Sequence, residues 1–281
     1  NLGIDLGFLE NRINVAMDVY TRDNHDLIGT TRTQGVGGEI AKFANIASMK
    51  SHGFELSVSS NNIKTKDFSW NTDFIYSIYK NEVTDLNAIA TTMDYVSGTG
   101  FTMVGYPHRG LFSIPFAGLD SNGIPMFYNE KGEITSTDLS FQSSDDFSWL
   151  KYEGPTEPTF TGSLGNSFTY KNVHLNVFFT YSGGNVVRLD PVFSYRYSDL
   201  TATTREFKNR WMVPGDENRT NVPTILSYRQ YYENAELRNA YSAYNYSTER
   251  VAKGGFIRLK EISVAYDFPK KWLSALKVSN V

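Results

Sequence analysis

The sequence of 281 residues has no cysteine, little net charge and no long apolar run. Without cysteine, disulfides, thiol chemistry and thiolate ligands for zinc are excluded. A membrane-spanning helix needs about 18 to 20 consecutive apolar residues, and no segment approaches that length. The net charge of −3 provides no basic surface, so we expect no nucleic-acid partner.

Catalytic and metal-binding patterns are equally scarce. The four histidines are spread along the chain without the spacing of metal ligands. Asp145 and Asp146 are adjacent carboxylates, but neighbours in a strand point to opposite faces. In a serine-rich loop both would be solvated rather than act as the acid and base of a glycosidase. We therefore predict no catalytic residue, no metal site and no cofactor, and expect that the chain is not an enzyme.

Aromatic residues and a regular alternation are what the sequence does contain. Aromatics make up 15% of the chain. Several segments alternate apolar and polar residues with a period of two, which is typical of strands with one apolar and one wet face. The predicted pairs are residues 2–8 with 13–19, 54–58 with 70–78, 160–170 with 173–181, and a pair that begins near Phe256 and continues from Leu276. The apolar residues before Lys260 fall out of phase with those after it, so we expect a β-bulge or a strand end above the apolar zone.

Short and long connections alternate between these strands. Tight turns join the members of each pair, the second of them in the polar stretch 61–67, whereas long connections cover residues 21–51, 80–158 and 182–253. Strands cross a bilayer only in a closed barrel, with short turns at one rim and long loops at the other. We therefore predict an all-β fold, an antiparallel up-and-down transmembrane β-barrel segment of about seven to eight strands with long extracellular loops. A soluble β-sandwich or propeller with large insertions is the alternative.

Five motifs along the chain point to a known family. They are GIDLGFL (3–9) with DLI (26–28), GFEL (53–56) with DFSW (67–70), GYP, GLD and GIP between 105 and 125, PTFTG (158–162), and NRW (209–211) and PGD (214–216) followed by FIRLK (256–260). In their order and spacing these motifs resemble those of SusC/RagA-type TonB-dependent outer-membrane transporters.

The resemblance implies an architecture larger than this chain. Residues 1–281 would form one partial barrel domain from the second half of a barrel of about 22 strands. The plug domain, the TonB-contacting segment and the signal peptide would lie upstream, and the closing strands would follow. The implied location is the Gram-negative outer membrane, with lipid bilayer around the wall. The implied function is TonB-dependent import of a nutrient, an oligosaccharide or a peptide, with a SusD-like surface lipoprotein as extracellular partner and the TonB complex reached through the missing N-terminal region.

The long loops hold the residues best suited to contact a ligand or a partner, because tyrosine offers a flat apolar face and a hydroxyl group. The predicted contact residues are Tyr195, Tyr197, Tyr228, Tyr231, Tyr232, Tyr241, Tyr244, Tyr246 and Trp211. Packing of the loop on itself is the alternative for the same rings. Apolar runs at 101–106 and 111–116 predict an ordered second loop that contacts a partner. Two other functions stay open, a soluble secreted β-domain that binds glycans through loop tyrosines, and a passive porin.

Overall fold

The computed structural model describes residues 1–33, 35–142, 146–192 and 204–269. Its strands are β1 (Leu2–Phe8), β2 (Ile13–Arg32), β3 (Ala41–Lys64), β4 (Phe68–Leu86), β5 (Gly110–Ser113), β6 (Phe116–Leu119), β7 (Pro125–Tyr128), β8 (Ile134–Thr135), β9 (Lys151–Pro155), β10 (Phe160–Tyr170), β11 (Val173–Gly183), β12 (Val186–Arg188), β13 (Val251–Lys253) and β14 (Phe256–Tyr266). Its helices are α1 (Thr92–Val96), α2 (Tyr228–Glu233) and α3 (Ala235–Asn245), with 3-10 turns at Val36–Gly38, Arg205–Asn209, Asp216–Asn218 and Thr248–Arg250. Within these ranges, no helix has the length and apolar character needed to span a bilayer.

Seven of the strands form one antiparallel sheet, which we call the wall. Their order is β1-β2-β3-β4-β10-β11-β14, so each wall strand pairs with the next wall strand along the chain. All the strand segments predicted within the described residues lie in this sheet, and the sheet is not closed there. The predicted fold class, a segment of an up-and-down barrel, is confirmed. The strand predicted from Leu276 lies outside the described residues.

The register places most of the large apolar residues of the seven wall strands on one face. One row across the sheet is Leu6, Val15, Val58, Phe74, Leu164, Phe179 and Leu259. The adjacent row on the other face is Asp5, Ala16, Ser57, Ile75, Ser163, Thr180 and Arg258. We call these the outer and the inner face. Apart from Ile75 and Phe178, the inner face is polar or small near the middle of the wall, as suits a water-filled interior.

The height of the apolar zone matches a membrane. β10 has 11 residues, from Phe160 to Tyr170. At about 3.3 Å per residue and a tilt of about 40°, they span about 25 Å along the membrane normal, the height of the lipid-facing band of outer-membrane barrels. Beyond Phe160 the next outer-face row is polar, formed by Thr21, His52 and Lys80. The apolar zone therefore ends where the bilayer would end.

The bulge predicted in the last strand is present. Phe178 pairs with Glu261 and Phe179 pairs with Leu259, so Lys260 is left without a partner in the register. A bulge adds one residue to one strand and restores the phase of its side chains. Ile257 and Leu259 therefore join the outer face with the apolar residues that follow, and the mismatch in the sequence pattern disappears.

The prediction of a long first connection at residues 21–51 is wrong. β2 continues to Arg32 and β3 begins at Ala41, so the true loop covers only residues 33–40. The second tight turn is likewise shorter than predicted, because β3 extends to Lys64. Beyond the apolar zone at either rim both faces of a hairpin are wet, and the apolar alternation that reveals a strand is lost. Backbone pairing alone continues these strands.

The other two long connections fold together into what we call the loop globule, built from the described residues of 87–159 and 184–255. Its core contains Val96, Phe112, Ile114 and Phe127 from the first segment, and Ala240, Tyr241 and Tyr244 from the second. Ile114 bonds through its backbone to Tyr246 and Thr248, which joins the segments directly. The predicted order of the second loop is confirmed, because Leu111, Phe112 and Ile114 are at most 1% exposed.

Backbone connections on two sides attach the loop globule to the wall. The β12–β13 pair continues the hairpin of β11 and β14 above Gly183. On the other side, the backbone of Val83 in β4 exchanges hydrogen bonds with Gly105 and Tyr106. The long loops therefore sit on the rim of the wall opposite the tight turns.

Candidate ligand and partner surface on the loop globule

A partly buried arginine joins the two segments of the loop globule. The Arg188 guanidinium donates to the carbonyl oxygens of Phe112 (2.7 Å), Ser247 (2.8 Å) and Val96 (3.1 Å), and to the Ser113 hydroxyl (3.1 Å). Burial lowers the pKa of Arg188 to about 10, because the charged form loses its hydration. Neither its role nor its partners have a signal in the sequence, since the partners are mostly backbone atoms.

Three of the predicted contact tyrosines belong to the interior of the globule. Tyr241 and Tyr244 are 6% and 2% exposed. The Tyr241 hydroxyl donates to the Thr224 carbonyl oxygen (2.6 Å), and burial raises the pKa of both phenols. Tyr246 is half-buried, with its ring 6.1 Å from that of Phe141. For these rings the structure favours the alternative that the loop packs on itself.

The tyrosines of α2 form an accessible surface instead, which we call the tyrosine face. Tyr228 is 78% and Tyr232 47% exposed, and their ring centroids are 4.2 Å apart. Tyr231 lies edge-on to Tyr232 at 5.3 Å. The Arg238 guanidinium lies 5.7 Å from the Tyr231 ring and donates to the Tyr231 carbonyl oxygen (2.7 Å). Arg238 therefore fixes the position of Tyr231, while the rings of Tyr228 and Tyr232 remain exposed to solvent.

The start of α2 explains why this short helix forms. Ser227 Oγ accepts the Gln230 backbone N–H (3.2 Å), and Gln230 Oε1 accepts the Ser227 N–H (3.0 Å). This reciprocal capping box satisfies two of the backbone donors that a helix start leaves free. Of the remaining predicted contact residues, Tyr195 and Tyr197 lie outside the described residues.

Trp211 is half-buried and connects the two segments of the globule. Its Nε1 donates to Glu217 Oε2 (2.9 Å), and this bond lowers the pKa of the Glu217 carboxyl group. The ring covers Gly123, whose φ of 75° favours glycine and where a Cβ atom would lie 2.6 Å from the indole. The exposed Met212 and Val213 follow directly. Trp211 thus positions a turn at the surface.

The described residues contain no cluster of three or more side chains able to hold a metal ion. Polar side chains do line a cavity of about 500 Å³ beside α3, with Arg250 at its base. Sequence reasoning missed this cavity because its lining comes from residues 206–222 and 244–250, which only the tertiary structure brings together.

A wall with one apolar and one polar face, a zone of membrane height and folded loops at one rim defines the class of outer-membrane β-barrel proteins. Over its whole length the chain is similar to the TonB-dependent receptor P3 of Formosa agariphila, with 25% identity across 28% of that protein. It is also similar to the TonB-dependent receptor SusC of Bacteroides thetaiotaomicron, with 26% identity over 97% of the chain and 26% of SusC. No family model matches. The predicted resemblance to SusC/RagA-type TonB-dependent transporters, and with it the outer-membrane location, is confirmed.

The solved structure of the RagAB peptide transporter has the same fold. It superimposes with a TM-score of 0.71 over 99% of this chain and 29% of that chain, at 20% identity. This chain therefore spans less than a third of the length of the relatives that it matches.

Proposed function

We propose that this chain forms part of the barrel wall and the external loops of a transporter that imports a nutrient across the outer membrane in a TonB-dependent way. The observation that carries the proposal is the large apolar outer face, interrupted by the polar residues Ser60, Thr72 and Asn166, beneath a loop globule at one rim. A soluble domain would not leave so large an apolar surface uncovered. The names of the relatives, TonB-dependent receptors and a peptide transporter, support the same role. Residues 1–281 then belong to one partial barrel domain.

The loop globule is the part of this chain that meets the extracellular side in our proposal. The tyrosine face contacts either the nutrient or a SusD-like surface lipoprotein, because Tyr228 and Tyr232 present flat rings and hydroxyl groups to solvent. The TonB complex acts through a part of the transporter outside this chain. The chain itself catalyses no covalent reaction. The nutrient is an oligosaccharide or a peptide, since the polar inner face suits passage of a hydrophilic solute.

Cell fractionation separates this proposal from a soluble glycan-binding domain. The parent protein should remain with the outer membrane after washing with salt and carbonate, and should dissolve only in detergent. Recovery of the folded protein in the aqueous fraction would rule out the barrel.

Uptake measurements separate the proposal from a passive porin. Cells that express the parent protein should accumulate labelled oligosaccharide or peptide mixtures, and loss of TonB should abolish this uptake. Uptake that persists unchanged without TonB would identify a porin. A strain that lacks the transporter gives the background.

A further inference from the structure

The cavity beside α3 is an unassigned site in the loop globule, which we call the arginine cleft. Its lining includes Arg210, Arg219 and Arg250, together with Glu206, Asn221 and Glu249. Its volume of about 500 Å³ falls in the range of small-ligand pockets, about 300 to 1,000 Å³. No residue of the tyrosine face lines it, so the two surfaces are separate.

The carboxylates of the cleft already have partners. Glu206 is paired with Arg250, and Glu249 Oε2 accepts a hydrogen bond from Asn221 Nδ2 (2.9 Å). Asp216, which also lines the cleft, accepts the backbone N–H groups of Met212 and Val213, both at 3.1 Å. These acids therefore stabilise the cleft itself and its neighbouring turn.

Arg250 is the buried base of the cleft. It is 3% exposed, pairs with Glu206 and donates to the Asp190 carbonyl oxygen (2.6 Å). Its buried Nε has no hydrogen-bond partner among the described residues. A buried guanidinium group with one N–H donor left unsatisfied is costly, because that donor has lost its hydration.

The other two arginines have unused binding capacity. Arg210 stacks on the Phe207 ring, 4.9 Å from its centroid, and its guanidinium makes a 3.5 Å contact with the Phe207 carbonyl oxygen. Within the described part of the chain, neither Arg210 nor Arg219 has a carboxylate within ion-pair distance. A planar guanidinium can bind a carboxylate through two parallel hydrogen bonds. Both groups are therefore available to an acidic ligand.

We propose that the arginine cleft binds a carboxylate group of the ligand through Arg210 and Arg219. A neutral sugar fits less well, because sugars favour an exposed aromatic platform and the one ring of the lining, Tyr244, is buried. The C-terminus of a peptide and the carboxylate of a uronic sugar offer the same chemistry. The inference rests on the proposed import function, to which it adds the recognition of an acidic group on the nutrient.

The test is binding to the full-length transporter, purified in detergent and followed by calorimetry. The probes are trialanine, trialanine amide and trigalacturonate. At least one of the two acids should bind. If the peptide is the ligand, the amide should bind about tenfold or more weakly than trialanine, since a hydrogen bond to a charged group contributes about 1.5 to 3 kcal/mol.

Arg210→Gln and Arg219→Gln should each weaken binding of the acid that binds by about tenfold or more. Arg22→Gln is the matched control, an exposed arginine over the Tyr20 ring that should leave affinity unchanged.

Every outcome is decisive for the cleft. Binding of trialanine with a much weaker amide identifies a peptide C-terminus, and binding of trigalacturonate alone identifies a uronic sugar. The proposal is overturned if neither acid binds, or if the glutamine variants bind like the wild type. It is also overturned if trialanine binds no better than its amide and trigalacturonate does not bind. Should a glutamine variant fail to fold, as judged by heat-modifiable migration in gels, the lysine variants Arg210→Lys and Arg219→Lys take its place. They keep the charge but lose the bidentate geometry, so binding must still weaken.

The same variants separate this inference from the import function. If Arg210→Gln abolishes binding of the acid in vitro but wild-type cells show no TonB-dependent uptake, the import proposal alone fails. If uptake is TonB-dependent but substitution of Arg210 and Arg219 does not change the affinity for the acid, the cleft proposal alone fails.

Discussion

Single side chains decide how the long loops hold together, and Arg188 is the clearest case. Replacing Arg188 by Met removes the side-chain donor to the carbonyl oxygens of Phe112 and Val96, whereas the Ser247 carbonyl oxygen keeps the Arg250 backbone N–H. At about 1 to 3 kcal/mol for each of the two groups that lose this donor, we expect a loss of about 2 kcal/mol or more from the local free energy of unfolding of the loop globule. Proteolysis of the external loops in whole cells measures it as a faster rate of cleavage.

Arg229→Met is the matched control for this prediction. Arg229 forms only an exposed ion pair with Glu233 (2.8 Å), which contributes about 0.5 kcal/mol or less. Equal cleavage rates for the Arg188 and Arg229 variants would contradict the role assigned to Arg188.

The loop tyrosines should divide into two groups when they are replaced by alanine. Tyr228→Ala should weaken binding of the nutrient or the surface lipoprotein about tenfold without changing stability, because the ring is exposed. Tyr244→Ala should instead destabilise the globule by about 3 to 5 kcal/mol, because it leaves a cavity in the core. Binding titrations and the melting temperature of the purified transporter report the two effects. Tyr128→Ala, an exposed tyrosine of β7, is the control for Tyr228.

The sequence predicts a cluster of tyrosines in the loops but not which of them are exposed. Composition and position marked the group as a loop cluster, and the aromatic chemistry suggested contact. Tyr228 and Tyr244 have the same chemistry, however, and differ only in which helix carries them and what covers that helix. Arg188 and Arg250 were missed for a related reason, because their partners are distant backbone and acidic atoms.

Strands were predicted well wherever they cross the apolar zone. β1, β10 and β11 begin and end at or near the predicted residues, since alternation is strict when one face meets lipid. Above the membrane β2, β3 and β4 continue without that contrast, so the sequence pattern predicts loops in place of their upper parts. The bulge at Lys260 was predictable because an added residue leaves a visible break in the phase.

The two faces of β10 should respond differently to charge. Leu164→Lys places an ammonium group on the outer face near mid-height of the apolar zone, where a lysine costs about 2 to 4 kcal/mol in an outer-membrane barrel. Ser163→Lys, the adjacent residue on the inner face, should cost much less because water hydrates the charge. Urea titration of the full-length barrel in lipid vesicles measures both variants. Equal destabilisation of the two would mean that the outer face does not contact lipid.

The wall has two unpaired edge strands among the described residues, and these edges determine how the chain should behave when it is expressed alone. Among the described residues, β1 pairs only with β2 and β14 only with β11, so both edges expose backbone donors and acceptors. We expect residues 1–281 expressed alone to aggregate or to pair nonnatively, because unpaired edges recruit other strands. Size-exclusion chromatography after refolding in detergent should show large assemblies, with the full-length transporter as the folded reference. A monodisperse, folded monomer of this chain would contradict the expectation.

The sequence alone determined the class of this protein. A period-two pattern on seven strands, with turns and long connections in alternation, allows few architectures in which one face is apolar and the backbone is fully paired. Only the tertiary structure decided what the long connections do. Their shared core depends on contacts between residues more than 100 positions apart, such as Ile114 with Thr248. The burial of Tyr241 and the arginine cleft depend on contacts over 17 and 44 positions, those of Tyr241 with Thr224 and of Glu206 with Arg250. Such contacts leave no periodic trace in a sequence, because the packing of irregular segments is set by shape and burial rather than by a repeating environment.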